Sequence, residues 1–384
     1  MFIESILSDT KIVFERNISL ESIDCVINYA VGKKVHKIGL VVDENVSVAE
    51  KYVDMLKKFF DVVTFSDIKP NPDVETVDKL TSVLINENVD VIWVIGGGSF
   101  MDSAKAASVL IENGGSLEDY LGNAPVRKID KEGIPVIASP TTAGTGAEVT
   151  RFGVYTSNSG RKYSLVSNFL QPKVAFLIPE LTYSLPSVQT AATSFDALTH
   201  ALEPLWNKNA TDITDKLAIN VTTEILKAME MSYNSSVTDS TVGRDEMLIA
   251  ATKAGITFNI TGTAAIHALS FPLSEKWHIP HGTACSFFFE DVWQISAKDD
   301  TVRDKLLKIS EKMGFGSSST EKLFNYITDI KMKMKLPVKF SDLSIDYNEE
   351  EDFPLFLDTL NDPKIKNSIA VFTEESIMGI LQRK

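Results

Sequence analysis

Residues 89–105 read Val89-Asp90-Val91-Ile92-Trp93-Val94-Ile95-Gly96-Gly97-Gly98-Ser99-Phe100-Met101-Asp102-Ser103-Ala104-Lys105. The run up to Gly96 is the most apolar of the chain, broken only by Asp90, and suits a strand buried on both faces. Helical spacing follows from about Ser99 to Asn113. Three glycines at the junction let the backbone approach a phosphate closely. The helix start behind them offers free N–H groups and the positive end of a dipole. The same residues also suit a plain tight turn, since they form neither a Walker sequence nor a full GxGxxG.

The neighbouring segments repeat this strand-then-helix alternation. Lys37 to Val42 reads as the first strand of the fold and ends at Asp43; residues 46–60 carry helical spacing. Val62 to Phe65 is the next strand, residues 73–87 the next helix, and Pro135 to Ala138 a further strand. Strands alternating with such helices predict βαβ units and a mostly parallel sheet. Residues 151–167 break the rhythm, because Phe152–Thr156 and Lys162–Val166 flank Ser157-Asn158-Ser159-Gly160, a hairpin signal. Val174 to Ile178 closes this half. From Leu185 onward, segments such as 187–206, 211–233, 244–260, 302–313 and 320–334 have helical periodicity. The boundary falls near Tyr183–Pro186, giving an α/β domain over 1–184 and an all-α domain over 185–384. No repeat or low-complexity tract interrupts either.

The 384 residues carry 38 Lys+Arg against 52 Asp+Glu, a formal net charge of −14. No basic stripe offsets that balance, which argues against a nucleic-acid binder working through phosphate neutralisation. Two cysteines, Cys25 and Cys285, form no disulfide framework and suggest a reducing compartment. The stretch MFIESILSDTKIVF lacks the charged and apolar regions of a signal peptide. Val89–Gly96 is far short of the ~20 residues that span a bilayer. The expectation is a cytoplasmic protein with no membrane or nucleic-acid partner.

Five histidines occur, at 36, 200, 267, 278 and 281. Asp196 and His200 are i and i+4 and share one face of a helix. His267 and His281 each open a short motif, HALSFPL and HGTACSF. One carboxylate and three imidazoles match a divalent transition-metal site that leaves room for a substrate oxygen. Satisfied core histidines would account for the same spacing; His36, beside Lys33 and Lys34, reads as a surface residue. A second glycine loop, SPTTAGTGAE (139–148), follows a strand, so two loops at strand ends suit a nucleotide across the sheet edge. Asp43 can accept from an adenosine ribose and repel a 2′-phosphate, favouring NAD over NADP; Asp is equally a turn former.

GGGSFMDSAK (96–105), SPTTAGTGAE (139–148), DALTHALE (196–203) and HAL…PHG (267–282), in that order, resemble the iron-containing, group III alcohol dehydrogenases over residues 10 to 380. The resemblance implies a Rossmann-like dinucleotide domain, a helical metal domain of dehydroquinate synthase-like architecture, and a homodimer. It implies that Asp196, His200, His267 and His281 bind Fe²⁺, with Zn²⁺ also acceptable to that donor set. Gly97, Gly98 and Ser99 would hold the pyrophosphate, and Asp102 would cap the following helix. Thr141, Thr142 and Thr145 would line the cofactor groove, Lys162 would reach the cofactor from the hairpin, Asp43 would face the ribose, and Asn71 would sit nearby.

Three departures from the family pattern bear on substrate and proton path. A second histidine common after the HAL motif is Phe271 here, which leaves His278 as the candidate relay. Ile178-Pro179-Glu180-Leu181 and Ser194-Phe195 replace the usual Asp-Pro-Glu-Leu and Thr-Gly. The stretch GAEVTRFGVYTSNSGRKYSL (146–165) looks like the phosphonoacetaldehyde reductases of the family. Arg151 could there grip a phosphonate or sulfonate in a bidentate way, or pair with Glu148. The implied activity is NAD(P)H-dependent reduction of a small aldehyde, catalysed with His267 and His278. Alternatives are a general short-chain alcohol dehydrogenase, a dehydroquinate-synthase-like lyase, and a non-catalytic cofactor-binding protein.

Overall fold

The computed structural model describes residues 9–238 and 240–384. Of the N-terminal stretch read for a leader, residues 1–8 lie outside the described residues. The chain divides into two compact units. One runs through Thr142 and resumes over Gly146–Leu185; the other joins Ala143–Thr145 to Pro186–Lys384.

The first unit holds β1 (Lys11–Phe14), β2 (Lys37–Val42), β3 (Asp61–Phe65), β4 (Val91–Gly96), β5 (Val136–Pro140), β6 (Phe152–Thr156), β7 (Lys162–Val166) and β8 (Val174–Leu177). Six of them form a wholly parallel sheet in the order β1-β8-β5-β4-β2-β3, while β6 and β7 make a separate antiparallel hairpin. Lys37–Val42 is therefore the second strand and not the first. β1 joins the sheet edge from Lys11↔Val174 to Phe14↔Leu177, and four residues are too few for a periodicity to be read.

Four helices cover the sheet: α1 (Leu20–Val31), α2 (Ala49–Lys57), α3 (Val74–Glu87) and α4 (Gly98–Asn113); a short α5 (Glu180–Tyr183) follows β8. α1 starts in a capping box between Ser19 and Ser22 and stops at Gly32, whose φ of +67° ends the helix without strain. Apolar residues of α1 and α2 pack with Leu40, Trp93 and Ile95, whereas those of α3 and α4 pack with Val41, Ile92 and Val94. Consecutive strand residues thus point to opposite faces, each covered by helices. That is why β4 is buried along its whole length.

From β2 the chain passes to β3 on one side and then to β4 on the other. The strand order reverses there, opening a crevice beyond the carboxyl ends of β2 and β4. Asp43 and Gly97 follow those two strand ends.

The second unit is helical apart from a bridge between Asn207 and Ser368 among the described residues. It comprises α6 (Ser187–Leu202), α7 (Asp212–Thr238), α8 (Arg244–Thr261), α9 (Ala265–Lys276), α10 (His281–Ser296), α11 (Asp300–Lys312), α12 (Glu321–Lys333), α13 (Glu349–Asp358), α14 (Pro363–Asn367) and α15 (Glu374–Leu381). α6 is buried from Ala197 to Leu202, surrounded by its neighbours rather than lying on a surface. No described helix is long and apolar enough to cross a membrane.

Candidate functional sites

In the first unit, α4 begins at Gly98 with Gly97 as its N-cap, and no side chain occupies the cap. The N–H groups of that first turn are thus left uncapped by any side chain, as at a helix start that takes an anion. A Cβ on Gly97 would lie 3.4 Å from Thr142 Cγ2, which places the two glycine loops side by side. The Thr141 N–H donates to the Gly96 carbonyl at 3.1 Å, fixing that register.

Asn71 gathers the remaining groups around this turn. Its backbone N–H donates to Ser99 Oγ at 3.2 Å, and its Oδ1 accepts from Lys162 Nζ at 2.9 Å. Asn71 has a φ of +54°, a left-handed conformation that asparagine tolerates better than most residues. Asp43 Oδ1 accepts from the Asn45 backbone at 3.0 Å and from Asn45 Nδ2 at 2.9 Å, so the carboxylate shapes the turn after β2.

Asp102 does not cap α4. It lies inside the helix, where Oδ2 accepts from the Val154 N–H at 2.9 Å and Oδ1 stands 3.7 Å from Lys105 Nζ. Lys105, fully buried, also donates to the carbonyls of Ala147 and Phe152. Burial raises Asp102 and lowers Lys105, and each partner's charge opposes the shift. The pair ties α4 to the second loop and to the hairpin. Arg151 donates to Asn168 Oδ1 at 3.2 Å and lies over the Phe152 ring.

In the second unit, three helices bring one carboxylate and three imidazoles together. Asp196 and His200 sit one turn apart on α6, His267 near the start of α9, and His281 at the first position of α10. Asp196 Oδ1 is 3.7 Å from both His267 Nε2 and His281 Nε2; His200 Nε2 is 2.9 Å from His267 Nε2. Gly282 makes the convergence possible: a Cβ there would fall 2.0 Å from the Ala192 carbonyl oxygen of α6. The Phe258 ring stacks on His200 at 4.2 Å and fixes its plane.

Burial alone would raise Asp196, but the imidazoles of His200, His281 and His267 hold it well below the usual carboxylate range. His200 is lowered to about 4, chiefly by burial, so it is neutral at pH 7 with a lone pair to offer. Asp196 Oδ1 is buried and has no hydrogen-bond partner among the described residues. An orphaned carboxylate oxygen in a dry site is costly unless a cation faces it. Two donors each about 2.0–2.2 Å from one ion stand roughly 3–4 Å apart, which matches the spacing around Asp196. The donor set fits a divalent metal.

Two members of this cluster escaped the sequence reading. Glu203, fully buried, accepts from His267 Nδ1 at 2.8 Å and from the N–H groups of Ala264 and Ile266. With Glu203 at Nδ1, Nε2 is the ring nitrogen left facing the cluster, the usual arrangement around a ligating histidine. Glu203 closes the DALTHALE motif, seven residues after Asp196 and therefore on the same helix face, which was the available signal. Cys285 Sγ lies 3.8 Å from His281 Nε2 and joins Asp196, His267 and His281 within 4.8 Å; its i+4 spacing from His281 carried the hint. His278 stands apart on the exposed turn before α10, with a φ of +55°.

A model described as iron-containing alcohol dehydrogenase matches residues 9–179, and the C-terminal model of the Fe-containing alcohol dehydrogenase family matches residues 190–384. The chain belongs to the iron-containing alcohol dehydrogenase family. Alcohol dehydrogenase 4 of Schizosaccharomyces pombe is 31% identical over 295 residues, covering 77% of this chain and 68% of that protein. Sulfoacetaldehyde reductase of Bilophila wadsworthia is 35% identical over 58% of this chain and 57% of its own length. A crystal structure of sulfoacetaldehyde reductase from Bifidobacterium kashiwanohense in complex with NAD⁺ matches with a TM-score of 0.87 and 28% identity, over 98% of this chain and 96% of that one. The sequence-based expectations of family, fold class and oxidoreductase activity therefore hold.

Proposed function

We propose that the protein reduces a small aldehyde to its alcohol with NADH, using a divalent metal held by Asp196, His200, His267 and His281. The observation that carries this reading is the buried Asp196 Oδ1, which accepts no hydrogen bond and faces two imidazole nitrogens at 3.7 Å. When bound, the metal supplies Lewis-acid polarisation of the carbonyl oxygen and the reduced nicotinamide supplies the hydride, so the aldehyde gains a hydride at carbon and a proton at oxygen. Fe²⁺ is the resident ion in this reading, and Zn²⁺ also suits the donors.

The chain's own residues prepare both groups. Glu203 orients His267, Phe258 orients His200, and Gly282 lets His281 reach Asp196. The N–H groups opening α4, with Gly97, Gly98 and Ser99, take the pyrophosphate, flanked by Thr141, Thr142 and Thr145. Lys162 and Asn71, already bonded to each other, border that loop. Asp43 receives the ribose hydroxyls and disfavours NADP. Residues 1–184 thus act as the dinucleotide domain and 185–384 as the metal domain, in a cytoplasmic homodimer. His278, exposed on the turn before α10, stays the proposed proton relay and would reach the cluster only through solvent.

The NAD⁺ complex of the sulfoacetaldehyde reductase above supports the choice of cofactor. The similarity to Alcohol dehydrogenase 4 favours a second reading, in which the substrate is a plain short-chain alcohol or aldehyde. Initial rates of NADH and NADPH oxidation by the Fe²⁺-loaded enzyme separate the two readings. The panel is phosphonoacetaldehyde, sulfoacetaldehyde, propanal and butanal. A hundredfold preference in kcat/KM for the anionic aldehydes supports a specialised reductase; a flat profile supports the second reading. For Arg151 as an anion grip, Arg151→Ala raises KM for phosphonoacetaldehyde far more than for butanal; equal effects would make it structural.

A further inference from the structure

Phe271 lies one turn after His267 on α9 and so shares its face. Its ring is buried, with its centroid 6.4 Å from that of His281. A cation stands against the same ring. Lys364 of α14 places Nζ 4.4 Å from the Phe271 centroid, and its side chain is only 19% exposed. Its ion-pair partner, Asp362 Oδ2, is 3.7 Å away, a loose contact, because the other carboxylate oxygen is committed to the Lys364 backbone N–H at 2.7 Å. Burial lowers Lys364, and the charges of Asp362, Glu203 and Glu275 oppose that shift. Glu203 is the carboxylate that holds His267, so this lysine feels the same local field as the metal-ligand cluster.

An ammonium held against an aromatic face, with one loose carboxylate partner, keeps N–H donors for an incoming anion. We propose that Lys364 is a specificity-determining residue that receives the compact oxyanion end, sulfonate or phosphonate, of a short aldehyde. The carbonyl end of that aldehyde addresses the Asp196–His200–His267–His281 cluster. Phe271 forms the apolar wall along which the carbon spacer lies. A histidine at that position would put a polar ring where the ammonium needs a face to rest on.

This inference rests on the aldehyde-reductase reading, and its test has one arm that depends on that reading and one that does not. In the first, kcat/KM for sulfoacetaldehyde and propanal is measured with NADH for the wild type, Lys364→Met and Lys364→Arg. Lys364→Met is expected to lose selectivity for sulfoacetaldehyde by on the order of 30-fold, the range of a charge-assisted hydrogen bond. The loss appears mainly in KM, with propanal changed less than about threefold and much of the selectivity restored in Lys364→Arg. In the second arm, binding of ethanesulfonate, which has the anion and no carbonyl, is followed by calorimetry on the metal-loaded protein. Wild type binds it and Lys364→Met does not. Unchanged selectivity in Lys364→Met, or equal losses for both aldehydes, overturns the proposal, as does ethanesulfonate binding that survives the substitution. A wild type that reduces neither aldehyde overturns the reductase reading, and the ethanesulfonate arm then decides Lys364 alone. Should Lys364→Met fold poorly, Lys364→Gln serves in both arms.

Discussion

The residue that does most to prepare the proposed metal site is not one of its ligands. Glu203 spends its carboxylate on His267 Nδ1 and on the backbone that opens α9. Glu203→Gln keeps the shape but can leave His267 in either tautomer. We expect metal affinity, measured by competition with a chelator, to fall by about 10- to 100-fold, with far-ultraviolet circular dichroism unchanged. Unaltered affinity would make Glu203 a helix-start anchor and nothing more. The i, i+4 pair Asp196 and His200 was legible from spacing alone, whereas pairing across 64 residues, His267 with Glu203, was not. Only the path of the chain brings those two together. Asp102 shows the same limit: its position near a helix start suggested a cap, and its partner proved to be the distant Val154 N–H.

At the scale of elements, the alternating strands and helices of the first half could be read because burial imposes two different periods on them. β2, β6 and β7 begin and end where the apolar pattern does. β1 and α1 were not read, since neither a four-residue edge strand nor a helix preceding the first long apolar run stands out in composition. The second half offers one decisive contact between elements, the seating of α10 on α6 at Gly282. A Cβ at 2.0 Å from a backbone oxygen cannot be absorbed by a side-chain rotation. Gly282→Ala should therefore cost about 1–3 kcal/mol in urea unfolding and weaken metal binding together, because His281 moves with the helix start. A variant of wild-type stability would show that α10 does not approach α6 so closely.

For the molecule as a whole, a metal bound at the proposed site would link folding to catalysis. The donors come from three helices of the second unit, so an ion that binds only the folded state stabilises it by mass action. At free metal a thousandfold above Kd that amounts to about 4 kcal/mol. Removing metal with a chelator should lower the melting temperature, and Fe²⁺ or Zn²⁺ should restore it in the wild type but not in His267→Ala. Identical melting with and without metal would count against a site spanning α6, α9 and α10. The acidic charge balance and two isolated cysteines narrowed the function classes from composition alone. The substrate was not legible, because the side chains proposed to select it, Lys364 and Phe271, meet only in the folded chain.

Metal dependence is tested by titrating metal-free protein with Fe²⁺ under anaerobic conditions, with NADH oxidation in the presence of propanal and sulfoacetaldehyde as the readout. Turnover should be absent at the start and rise linearly until one ion is bound per chain. His267→Ala, still folded, should show neither the rise nor the bound ion. Full turnover by the metal-free protein, or by His267→Ala, would contradict that dependence.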